Sequence, residues 1–127
     1  MTFMKMPPLF YNTFDEYYDI PKELQEAFWL YFRYGIEPGG FGMAVLRNDF
    51  IESVLRAHPV LQSKNLKDIA RWFSNTRLPK DAWGSTEKIN NWIHLPDDDR
   101  REIMEELKLC PTLFDILRSV PLPVGDK

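Results

Sequence analysis

Cysteine is all but missing from the chain: Cys110 stands alone. One thiol can close no intramolecular disulfide and build no Cys-rich zinc cluster, so a reducing compartment is expected. Histidine is scarce as well. His58 and His94 are far apart, and neither has a His or Cys three or four residues on to share a metal. An excess of positive charge is also absent, since 16 basic residues stand against 19 acidic ones for a net charge of -3. Such a chain has no field to draw it to a phosphate backbone, so nucleic acid is disfavoured as the main partner. No stretch approaches the roughly 18 consecutive apolar residues of a membrane span. The opening MTFMKMPPLFYN lacks an apolar run of signal-peptide length and is broken by Pro7 and Pro8. A cytoplasmic protein with no membrane attachment is expected.

Aromatic side chains, by contrast, are plentiful: nine Phe, five Tyr and four Trp among 127 residues. Each carries a large apolar area at low rotamer cost. A chain of this length makes one domain, 1–127, and buries roughly two thirds of the surface its unfolded form exposes. Residues 1–20 hold Phe3, Phe10, Tyr11, Phe14, Tyr17 and Tyr18 around the two prolines, which reads as an extended arm with one short turn of helix near 13–18. So much ring area is expected to lie across the helices and complete their core.

From Pro21 the pattern turns helical, with Leu24, Ala27, Phe28 and Tyr31 on one face and Gly35 as the left-handed stop. A later helix from about Asn65 to Ser74 turns Leu66, Ile69, Ala70 and Phe73 inward. Ser85 caps the next, whose buried side is Ile89, Trp92 and Ile93. After Pro96 the aspartates 97 to 99 complement a helix N-terminus, and that helix runs towards Pro111. A last short helix is expected at about 112–119, with a flexible tail at 121–127. No segment alternates apolar and polar residues as a strand would. The fold class is therefore all-α: a compact bundle of five to six short helices with an extended aromatic N-terminal arm.

The stretch YGIEPGGFGMAVLRNDF, residues 34–50, carries the strongest local punctuation. Gly39 and Gly40 are expected to supply positive φ in a tight connection before a helix begins near Phe41. G-G-x-G after a helix matches neither the dinucleotide nor the P-loop fingerprint, both of which follow a strand. The helix expected over about 41–58 is apolar on well over half its circumference, with a narrow polar stripe of Asp49, Glu52, Ser53 and Arg56. A helix of that kind is normally the central one. Asn48 falls on its otherwise apolar face, and a buried amide needs partners, for which the EPGG connection is the expected source.

Catalytic chemistry finds little footing. Nothing adjacent to Cys110 would depress its pKa. The run Asp97, Asp98, Asp99 lacks the alternation and glycine of a calcium loop and is followed at once by Arg100 and Arg101. Ser85 follows Gly84 without the strand that a nucleophile elbow needs. No catalytic residue, cofactor or metal is expected. Binding is the better lead, because Trp29, Trp72 and Trp83 fall at or beside the borders of inward faces, and Trp and Arg are favoured anchors. The candidate partner-binding set is Trp72, Arg77, Lys80 and Trp83 from WFSNTRLPKDAW, joined by Asn48 and Asp49.

The run GIEPGGFGMAVLRNDFIESVLRA, residues 35–57, resembles a pattern in small uncharacterised proteins encoded by bacteriophages and prophages: I-P-x-G-G-F, then A-V-L-x-N-D-L. The likeness rests on Ile36, Pro38, Gly39, Gly40, Phe41, Ala44, Val45, Leu46, Asn48 and Asp49. The chain departs in the inserted Glu37, in Gly42 where Leu is usual, and in Phe50 for the final Leu. What the resemblance implies is a phage or mobile-element origin, a place in the host cytoplasm and, by analogy, a small accessory product that binds a host or phage protein. The reading carried forward is a non-catalytic protein-binding factor, in its sharper form an inhibitor of a host enzyme or anti-phage defence complex. The alternative is a nucleic-acid or nucleoprotein-binding module using Lys64, Lys67, Arg71, Arg77 and Lys80 with Trp72 as a stacking ring. An enzyme with a site assembled from Asp49, His58 or His94 is a further alternative ranked below both, and a second copy of the chain is a further candidate partner.

Overall fold

Proline and glycine set most of the helix boundaries. In the computed structural model, which describes residues 5–15, 18–57, 66–112, 114, 115 and 117, seven α-helices follow one another. They are α1 (Pro8–Tyr11), α2 (Lys22–Tyr34), α3 (Gly40–Leu46), α4 (Phe50–Arg56), α5 (Leu66–Asn75), α6 (Thr86–His94) and α7 (Asp97–Glu106), with a 3-10 turn at Lys80–Ala82. No strand occurs among the described residues, and the bundle is all-α. None of these helices is long and apolar enough to cross a membrane. Phe3, Tyr17, His58, Lys64, much of the expected last helix and the tail lie outside the described residues.

Local chemistry explains the helix ends. Gly35 closes α2 at φ 71°, its N–H bonding Tyr31 O at 2.8 Å while Ile36 N–H reaches Leu30 O. Ser85 accepts the Lys88 N–H at 3.2 Å and so caps α6. The helix expected to run to Pro111 stops sooner. Lys108 takes φ 62° and the Leu109 N–H returns to Met104 O at 2.9 Å, the same closure without a glycine. The expected positive φ at Gly39 and Gly40 is not found: Gly39 has φ -63°, and Gly40 opens α3. At Gly40 a Cβ would meet only the tip of the exposed Arg56 side chain, at 2.9 Å, which can move aside. Gly42 lies against Pro38, where a Cβ would sit 2.7 Å from the proline ring.

The N-terminal arm does complete the core. A helical turn forms at Pro8–Tyr11, because Pro8 suits the first position of a helix. Of the expected turn near 13–18, the described residues 13–15 and 18 are not helical, while 16 and 17 lie outside the described residues. Phe10 and Phe14 are buried, and Trp72 is sandwiched between the rings of Phe14, at 4.6 Å, and Phe28, at 5.4 Å. Its indole N–H donates to Thr13 Oγ1 at 3.0 Å, so the arm satisfies the polar atom of the ring it covers. At the other end, α2 packs on α7 through buried Arg33 and Arg100. Arg100 Nη1 donates to the carbonyls of Trp92, Ile93 and Leu95 that end α6, and both guanidinium groups reach Asp97. The acidic run therefore serves α7 and its buried arginines.

The helix expected over 41–58 is two helices. Asn48, at φ 61°, breaks it; Asn48 N–H bonds Val45 O and Asp49 N–H bonds Ala44 O, closing α3 as Gly35 closes α2. Asp49 then starts α4 anew, its carboxylate accepting the Glu52 N–H at 3.1 Å. Asn48 is exposed rather than buried on an apolar face, so its amide needs no partner from the EPGG connection. Nor is this element central throughout. α3 buries Phe41, Ala44 and Leu46, whereas α4 buries only Ser53, because the break redirects the second helix along the surface.

Candidate functional site

Three local devices build a groove beside α4. First, the Tyr31 hydroxyl donates to Ala82 O at 2.6 Å, and the Trp92 indole N–H donates to Tyr31 O at 3.1 Å, so α2 and α6 together fix the 3-10 turn. Burial pushes the Tyr31 phenol well above the usual tyrosine range, against a smaller opposing effect of the Arg100 charge. Second, the Gly84 N–H donates to Leu46 O at 2.6 Å, using a carbonyl left over at the end of α3. Trp83 is held between these two bonds and packs its ring on Phe73 at 4.7 Å. Third, the Asn48 break sets Phe50 and Ser53 opposite α5. The result is a cavity of about 390 Å³ with Val45, Phe50, Leu66, Ile69, Ala70, Phe73 and Trp83 as its apolar walls. Asn48, Asp49, Ser53 and Lys67 are its polar members.

Outside this groove α4 forms an oily ridge. Phe50 is 73% exposed, Ile51 64%, Val54 43% and Leu55 73%. At 100° per residue, positions 50, 54, 51 and 55 fill one continuous arc. Charged Glu52 and Arg56, paired at 2.8 Å, occupy the next sector. Burying each such side chain is worth about 1.5–3 kcal/mol, so the fold leaves a sizeable driving force unused on a helix of seven residues. Isolated apolar residues on a surface need no explanation; a contiguous group beside an apolar groove marks a site of association.

The sequence-derived candidates divide unevenly. Asn48, Asp49 and Trp83 meet on the groove, while Arg77 and Lys80 are exposed but do not line it. Trp72 and Trp29 are corrections: both are buried in the core, at 0% and 2% exposure, because the N-terminal arm closes over the face that helical spacing alone leaves open. The stacking ring of the nucleic-acid alternative is thereby inaccessible, and Arg71 of its basic set pairs with Asp68 at 3.5 Å. Asp49 is engaged as a helix cap, and His94 Nδ1 lies 2.7 Å from Asn90 O within its own helix. Burial raises the Cys110 thiol pKa, with the Arg33 charge a smaller opposing influence. Among the described residues no group of three His, Cys, Asp or Glu side chains converges in a metal-binding arrangement. Sequence reading missed Phe50, Ile51, Val54 and Leu55 as surface residues; the sign was the D-x-x-E cap signature at Asp49 and Glu52, which starts a helix inside the longer apolar pattern. No family model matches the chain, and neither a curated protein nor a solved structure matches it.

Proposed function

We propose that this chain is a small accessory protein of phage type that works in the host cytoplasm by binding another protein, without catalysis of its own. The observation that carries the reading is the apolar ridge of α4 running into the groove walled by Phe73 and Trp83. Central apolar pockets edged by polar groups are where binding energy concentrates. In its sharper form the protein inhibits a host enzyme or defence complex by occlusion, since a bulky apolar surface can cover a partner's site without reacting with it.

The test compares two baits in lysate of the host. Wild type and the double variant Phe50→Glu, Leu55→Glu are used for affinity capture with mass spectrometry. Partners retained by the wild type and lost from the variant are expected. Equal retention by both baits, or no retained protein, contradicts the reading.

A further inference from the structure

We infer that the occupant of the α4–α5 groove is an amphipathic helix of a partner protein that carries a carboxylate beside its apolar anchors. The inference rests on the protein-binding reading above and adds the chemical class of the partner.

Charge comes first. Two charged residues line the groove, Asp49 and Lys67. The Asp49 carboxylate is engaged locally, capping α4 by accepting the Glu52 N–H. Acidic neighbours are engaged too: Glu52 pairs with Arg56, and Asp68 with Arg71. Lys67 is exposed and pairs with no carboxylate among the described residues. Among the described residues the groove thus offers an occupant one free cation and one exposed amide, Asn48, on an apolar floor. A carboxylate on the occupant meets the first, and a backbone or side-chain polar group meets the second.

Shape selects the helix. An added β-strand needs a sheet edge, and no strand exists among the described residues. A proline-rich segment needs several aromatic rings standing apart to form slots. Two of the three rings lining the groove, Phe73 and Trp83, instead lie against each other at 4.7 Å and tilt by 56°, leaving Phe50 alone opposite them. What remains is a trough of about 390 Å³ between two helices, which suits two or three aliphatic or aromatic side chains projecting at i, i+3 or i+4, and i+7. The exposed ridge of Val54 and Leu55 extends the contact beyond the trough.

A helix-forming peptide library, randomised at apolar and flanking positions, selects binders to the full-length protein, with Phe50→Glu, Leu55→Glu as the counter-target. Enriched peptides are expected to carry apolar residues at helical spacing and Asp or Glu beside them. Their binding should weaken with salt and fall about tenfold in Lys67→Glu, which should in turn favour Lys-flanked peptides. Binders that depend on Phe50 and Leu55 yet are proline-rich, basic or indifferent to Lys67→Glu overturn the inference while leaving the protein-binding reading intact. Binders indifferent to Phe50 and Leu55, or none, overturn both. Concentration-dependent dimerisation abolished by Leu55→Glu identifies a second copy as the occupant, and nuclear Overhauser contacts from Trp83 to residues 58–65 identify the chain's own connection; either result overturns the inference.

Discussion

α3 and α4 have the same length, seven residues, and each holds four large apolar side chains, in GFGMAVL and FIESVLR, yet these meet opposite environments. In α3 Phe41, Ala44 and Leu46 are enclosed; in α4 Phe50, Ile51, Val54 and Leu55 face outward. The Glu, Ser and Arg of α4 add polarity, but they do not account for its apolar residues lying open. What does is the left-handed Asn48, which turns the chain so that only Ser53 of the second helix is buried. Hydrophobicity tells how much a segment gains from being covered, and the backbone decides whether this chain does the covering.

Two leucines offer the sharpest contrast. Leu46 is fully enclosed and Leu55 is 73% exposed. Leu46→Ala should lower the unfolding free energy by about 2–5 kcal/mol, whereas Leu55→Ala should change it by no more than about 0.5 kcal/mol. Denaturant titration of both variants checks this, and similar losses would erase the distinction.

Alkaline pH should disturb the side of the groove supported by α2, where Tyr31 holds the 3-10 turn, before the α4 ridge. Tyr31 has a folded pKa raised by burial, so its contribution is fully present below the ordinary tyrosine value of about 10. Above that value the unfolded state gives up its proton first, and stability falls as pH rises. Urea midpoints at stepped pH should show this decline and should show less of it in Tyr31→Phe. An equal slope in that variant would remove Tyr31 as the cause.

Smaller effects probe the break itself. Asp49→Ala should cost about 1 kcal/mol, the usual value of a helix cap, with α4 fraying detected by amide exchange at Glu52 and Ser53. Asn48→Gly should stabilise by about 0.5 kcal/mol, because glycine adopts φ near 61° without steric strain. A loss on that substitution would mean the amide contributes more than its backbone conformation.

The features legible in the sequence are those set by one or two neighbouring residues. Gly35, Ser85 and Pro96 mark helix ends through their own backbone chemistry, and each does so in the structure. The break at Asn48 was harder to read, since apolar periodicity runs unbroken from Phe41 to Ala57 and outweighs a single asparagine. Trp72 misled for a different reason. A border position on a helical wheel says nothing of a distant segment, and here the arm residues Thr13 and Phe14 travel across the bundle to cover it. Asn48 and Asp49 draw notice as polar residues in an apolar helix pattern and Trp83 as a loop ring before Gly84, and all three line the groove. Its other wall, Phe73 with Ile69, reads from sequence only as core.

The claim that the outward face of α4 is surplus to the fold is tested most directly by thermal unfolding of the double variant Phe50→Ser, Leu55→Ser. The melting temperature should stay at or above that of the wild type. A fall of about 8 °C or more, corresponding to roughly 2 kcal/mol in a domain of this size, would show that the ridge belongs to the core and contradict the account.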